Sequence, residues 1–133
     1  MARSSESLRA AGTLVRDGCP DDAASRAYYA AFYAASALLA SLGKDFAKHS
    51  GVRAAFHRDI VRSGQLDAAL GKSYDLLWNL RTLGDYGRIE HVSQDMAAKA
   101  VAMATDLVKA VRDLMDKGAE EAADSDPSRP ESG

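Results

Sequence analysis

Histidine and arginine at helical spacing are the residues of this chain best suited to chemistry. His49, Arg53 and His57 follow one another at four-residue steps, so on a helix all three project from one side. Such a row can bind phosphate or pass a proton. It can equally be a solvated cationic face beside the apolar stripe of Val52, Phe56 and Ile60, with His49 as a capping residue. Further along, the segment from Asn79 to His91 gathers Arg81, Asp85, Tyr86, Arg88 and His91. Arg81 and Asp85 stand four apart and can form a charge-assisted pair if their helix persists that far, an assumption that Gly84 weakens. An arginine and a histidine at such a helix end can bind an RNA phosphate and move a proton. The same residues can instead pin the helix end, with Tyr86 closing the bundle. A third concentration, Tyr28, Tyr29, Phe32 and Tyr33, places four of the nine aromatics within six residues. It reads as core packing with hydroxyls on polar partners, or as a platform on which bases stack.

Other chemistries are absent at the level of motif. The chain has no Gly-rich phosphate loop, no His-Glu-x-x-His, no Gly-x-Ser-x-Gly and no second cysteine to pair with Cys19, which reads as a bystander. No metal site and no cofactor is expected. The 133 residues make one domain of ordinary composition, 47% hydrophobic and 27% charged. No apolar run approaches bilayer length and no secretion signal opens the chain, so a cytoplasmic protein without membrane contact is expected.

The net charge of −2 is unevenly spread. Residues 118–133 hold five of the 19 acids and one of the 17 Lys and Arg, so residues 1–117 carry 16 bases against 14 acids, a net of +2. This separates a mildly basic helical domain, 1–117, from an acidic tail, 118–133, whose composition predicts disorder.

The elements that must position these residues are helices divided by glycines. Periodicity predicts helices over about Ser5–Asp17, about Pro20–Leu42, about Ser50–Ser63, about Gln65–Leu83 and about Ser93–Lys117, the second being central because apolar residues occupy nearly every face. No stretch alternates with period two. The expected fold is all-α, an antiparallel four-helix bundle with one additional short helix.

Three motifs in this order, Ser25-Arg26-Ala27-Tyr28-Tyr29-Ala30-Ala31-Phe32, Lys48-His49-Ser50-Gly51 and Arg81-x-x-x-Asp85-Tyr86-Gly87, resemble the small stand-alone branch of the HEPN-domain family over roughly residues 5–115. The resemblance implies a helical bundle that dimerises and is often paired with a minimal nucleotidyltransferase in toxin–antitoxin or defence modules. Many members are metal-independent ribonucleases with an arginine, then four to six residues, then a histidine. Here Tyr86 stands where that histidine is expected, and a neutral tyrosine is a poor base at pH 7. Two functions follow from the resemblance. One is a homodimeric subunit that binds a nucleotide, RNA or a nucleotidyltransferase through Arg81, Asp85, Tyr86, Arg53 and Tyr29 without cutting. The other is a ribonuclease toxin in which Arg81 stabilises charge on the phosphate while His49 or His91 moves the proton.

Overall fold

A computed structural model describes residues 1–86 and 91–124, with the backbone alone for residues 84–86. Its elements are α1 (Ala2–Arg16), α2 (Pro20–Ser41), α3 (His49–Ala55), which runs on into a π-helical turn at Phe56–Val61, α4 (Ala68–Tyr86) and α5 (Gln94–Asp124). Among the described residues every regular element is helical, as expected, and no helix is long and apolar enough to cross a membrane.

The ends of α1 and α2 follow local chemistry. Gly18 takes a positive φ of 76°, which costs glycine nothing, and Cys19 N–H then donates back to Leu14 O at 2.8 Å, closing α1. Pro20 starts α2 with its φ already helical, and Asp21 and Asp22 lie in the first turn where the helix dipole favours negative charge. The short link turns the chain back, so α1 and α2 lie antiparallel. Their pairing is pinned by Ser4, fully buried, whose Oγ donates to Ala30 O at 2.7 Å. At the other face α5 runs antiparallel to α1: Gln94 near its start reaches Val15, and Arg112 far along it reaches Ser5.

The core is centred on α2. Ala23, Ala24, Ala27, Ala30, Ala31, Ala34 and Ala35 are all completely buried. Side chains this small let α1, α4 and α5 approach the α2 backbone from several sides, so tight packing replaces bulk. Larger groups fill the remaining space from the partner helices: Leu77 and Tyr74 from α4, Leu107, Val108 and Val111 from α5, and Phe56 and Ile60 from the π-helical turn.

Four boundaries differ from expectation: α1 begins at Ala2 and not at Ser5, α4 runs on to Tyr86 and not Leu83, and two more have a local cause or consequence. The fourth helix begins at Ala68 and not at Gln65, because Asp67 Oδ1 accepts from Ala69 N–H at 2.8 Å and caps it, while the Gln65 side chain turns to Asp59 O and Ser63. The last helix continues past Lys117 to Asp124, so the first part of the supposed tail is helical. Ala119, Glu120, Glu121, Ala122 and Ala123 are strong helix formers, and Gly118 is tolerated among them. Residues 125–133 lie outside the described residues.

Candidate active site

The group that gathers most of the polar aromatic chemistry sits where α2, α3 and α4 meet. Tyr28 is its axis. Fully buried on α2, it places its hydroxyl 3.0 Å from His49 Nδ1 at the start of α3. Above its ring lies the Arg81 guanidinium from α4, with Cζ 5.0 Å from the Tyr28 centroid and 5.6 Å from that of Tyr29. The His49 ring is stacked on Phe32 at 4.1 Å and meets Tyr29 edge-on at 5.8 Å. Arg81 and His49 therefore share the same two tyrosines, from residues 32 apart in sequence.

Electrostatics assign protonation states. Burial pushes the Tyr28 phenol up to about 12, so it is neutral and available for hydrogen bonding. Burial lowers the His49 pKa from 6.5, and the positive charge of Arg81 lowers it further. At pH 7 His49 is thus a neutral imidazole beside a fixed cation. For Nε2 to be its basic nitrogen, Nδ1 must carry the proton and donate it to Tyr28 Oη, so the tyrosine selects which nitrogen faces outward. A neutral imidazole of fixed orientation next to a guanidinium can take a proton while the cation offsets developing negative charge.

Beneath this group lies Tyr74, fully buried and edge-on to Tyr28 at 6.3 Å. Among the described residues its hydroxyl meets no hydrogen-bond partner at bonding geometry, though it lies near enough to the Tyr28 hydroxyl to interact with it, and burial keeps it protonated. Because a buried hydroxyl without a partner costs stability, Tyr74→Phe is expected to leave the melting temperature unchanged or slightly raised. A loss of more than about 4 °C in thermal denaturation, roughly 1 kcal/mol for a chain of this length, would show that the hydroxyl is bonded after all.

The stripe of His49, Arg53 and His57 divides between two partners. Arg53 Nε donates to Asp75 Oδ1 at 2.8 Å, and His57 Nε2 donates to the same oxygen at 2.9 Å. Burial alone would raise Asp75, but the hydrogen bonds from Arg53 and His57 outweigh it and hold the carboxyl below its ordinary value. Arg53 also lies over the Trp78 ring at 4.9 Å, and Trp78 meets Tyr28 edge-on at 5.9 Å, so this cluster adjoins the Tyr28 group. Asp75 was not a sequence candidate. No spacing rule ties it to Arg53 and His57, which lie on another element.

The other candidates fall differently. His91 is exposed, and its Nδ1 lies 2.9 Å from Asp21 Oδ2, while Val92 N–H donates to the second oxygen of that carboxylate. It thereby ties the chain before α5 to the first turn of α2, two turns before Tyr28. The backbone of α4 reaches Asp85 and Tyr86, but their side chains, and all of Arg88, lie outside the described residues. Of the four clustered aromatics Tyr28 is core, whereas Tyr29, Phe32 and Tyr33 are half-buried.

The chain matches a family model described as "HEPN domain" over residues 1–114. It is 36% identical to a UPF0332 protein of Thermotoga maritima over 114 residues, 86% of either chain. A UPF0332 protein of Gloeobacter violaceus is 36% identical over 103 residues, 77% of this chain and 82% of the relative. A Methanocaldococcus jannaschii protein named "Putative toxin MJ0142" is 30% identical over 95 residues, 71% of this chain and 65% of the relative.

Proposed function

The chain belongs to the HEPN family, and from that premise we propose that it is a toxin-type endoribonuclease acting without a metal ion through Arg81 and His49. The observation that carries this reading is the convergence of the His49 ring and the Arg81 guanidinium on Tyr28. His49 Nε2 accepts the proton of a ribose 2′-hydroxyl, and the 2′-oxygen forms a bond to phosphorus. The P–O5′ bond breaks, the departing oxygen takes a proton from water, and Arg81 offsets the charge that builds on the phosphate oxygens. The products are a 2′,3′-cyclic phosphate and a 5′-hydroxyl. Tyr29 and Phe32, half-buried beside the imidazole and the guanidinium, give a flanking base a ring to stack on. The name of the M. jannaschii relative supports the toxin class.

The working unit in this reading is a homodimer that sets two such groups across a cleft. Leu42 and Leu76, both exposed, supply apolar surface for it. Incubating the full chain with total RNA in EDTA tests the proposal. Wild type should cleave, Arg81→Ala should retain only a small residual rate, and light scattering of the same sample should give a dimer. Intact RNA across a range of salt and pH would refute cleavage.

One feature favours a second reading. Tyr86 occupies the place of the family's nuclease histidine, which suits a subunit that binds RNA, a nucleotide or a minimal nucleotidyltransferase through Arg81 and its neighbours without cutting. Saturable RNA binding with no cleavage product would select it.

A further inference from the structure

We infer that the hollow between α3, its π-helical continuation and α4 is a phosphate-binding subsite, holding a single RNA strand one to two nucleotides from the Arg81–His49 group. The inference deepens the RNA reading above and rests on it.

The hollow has a volume of about 590 Å³, and Arg53, His57, Arg58, Arg62 and Asp75 supply its polar lining. Its shape comes from the π-helical turn. Arg62 N–H donates to His57 O at 2.9 Å, five residues back, and Arg58 and Arg62, four apart, line the hollow together with His57. Gly71 on α4 leaves space for the His57 ring: a Cβ there would stand 3.0 Å from His57 Cε1.

Charge makes the hollow an anion site. Arg58 donates from Nε and Nη2 to the two oxygens of Asp59, which also takes Lys44 at 2.9 Å, and Arg53 is held on Asp75. Lys44, Arg53, Arg58 and Arg62 thus face only two carboxylates, Asp59 and Asp75, an excess of two positive charges in a chain whose total is −2. Arg62 is exposed and makes no ion pair among the described residues. The two carboxylates fix Arg53 and Arg58 in place, so little side-chain freedom remains to be lost when a phosphate arrives.

Position identifies the anion as part of a strand. Arg53 and His57 lie one and two turns beyond His49, about 6 and 12 Å along the axis at the α-helical rise. Arg53 on Trp78, and Trp78 on the buried Tyr28, make a continuous line of ring contacts from the hollow to the proposed reacting centre. A lone phosphate would occupy only a small part of this volume, whereas a strand leaving the centre crosses all of it.

The test is fluorescence anisotropy with a labelled 12-mer of uridines in EDTA, from 20 to 200 mM salt, using full-length wild type, Arg58→Ala/Arg62→Ala, Arg62→Glu, Arg81→Ala and Lys99→Ala. Arg58 and Arg62 are exposed, and Lys99 lies exposed on α5 away from the hollow. The double variant should bind at least tenfold more weakly at 50 mM salt and lower the slope of log K against log salt by about 1.4, two single-strand phosphate contacts. Arg62→Glu should bind more weakly still, and Lys99→Ala should match wild type. Wild-type affinity and slope in the Arg58/Arg62 variants, with binding weakened in Arg81→Ala, would overturn the subsite and spare the centre. Normal strand binding that depends on Arg62 but never leads to cleavage would overturn ribonuclease action and leave the subsite standing. Competition by inorganic phosphate or uridine monophosphate at micromolar concentration would overturn the strand assignment in favour of a free anion.

Discussion

Replacing His49 with alanine is expected to slow RNA cleavage at pH 7 by about 10²–10⁴-fold, the range of a positioned acid–base group, with a much smaller loss of RNA affinity. The pH profile distinguishes that role from simple positive charge. Burial and then Arg81 hold the His49 pKa below 6.5, so the basic form fills as pH rises through that lowered value and the rate reaches half its plateau below pH 6.5. Arg81→Ala removes the neighbouring cation, and the inflection of its residual rate should move up toward 6.5. A rate that falls as pH rises from 5 to 7 would require a protonated His49 and would reject the base. The same shift has a stability consequence. Between 6.5 and the lowered folded value the unfolded chain binds the proton more readily, so stability falls on acidification through that window.

What the sequence disclosed of this site depended on whether the partners lay on one helix. The four-residue steps from His49 to His57 were legible, and all three residues do leave one side of a helix. The destination of each side chain was not. Tyr28 and Asp75, on two other helices, divide the row between them, and no spacing rule relates residue 49 to residue 28 or residue 53 to residue 75. The start of α2 was legible because Pro20, Asp21 and Asp22 act within one turn. The π-helical turn was hidden by its own neighbours: Val52, Phe56 and Ile60 continue the four-residue rhythm across it, and all three are buried. The extra residue shows in five-residue backbone bonds such as those from Arg62 to His57 and from Gln65 to Ile60. The helical run beyond Lys117 was obscured by its charge, since the acids that suggested disorder stand among alanines that favour a helix.

The substitution expected to cost most in stability lies beneath the site. Phe56→Ala should destabilise the chain by about 3–5 kcal/mol, the usual range for removing a fully buried phenyl group. That lowers the melting temperature by about 10–20 °C for a domain of this size. Phe56 is completely buried, begins the π-helical turn, and stacks on Tyr74 at 5.3 Å. Tyr74 is itself edge-on to Tyr28, whose hydroxyl meets His49. The cavity would therefore open at the base of a stack of rings that ends at the reacting imidazole. Collapse around it is restricted: the next turn must keep both Ile60 buried and the five-residue bond at Arg62. Phe56→Leu, which keeps much of the volume, should cost well under half as much. Thermal denaturation measures the two, and a loss below about 5 °C for the alanine variant would mean that the rings above do not lean on Phe56. Because the phenyl group supports the orientation of His49 without touching it, the alanine variant should also lose cleavage activity well below its melting point, more steeply than its folded fraction falls.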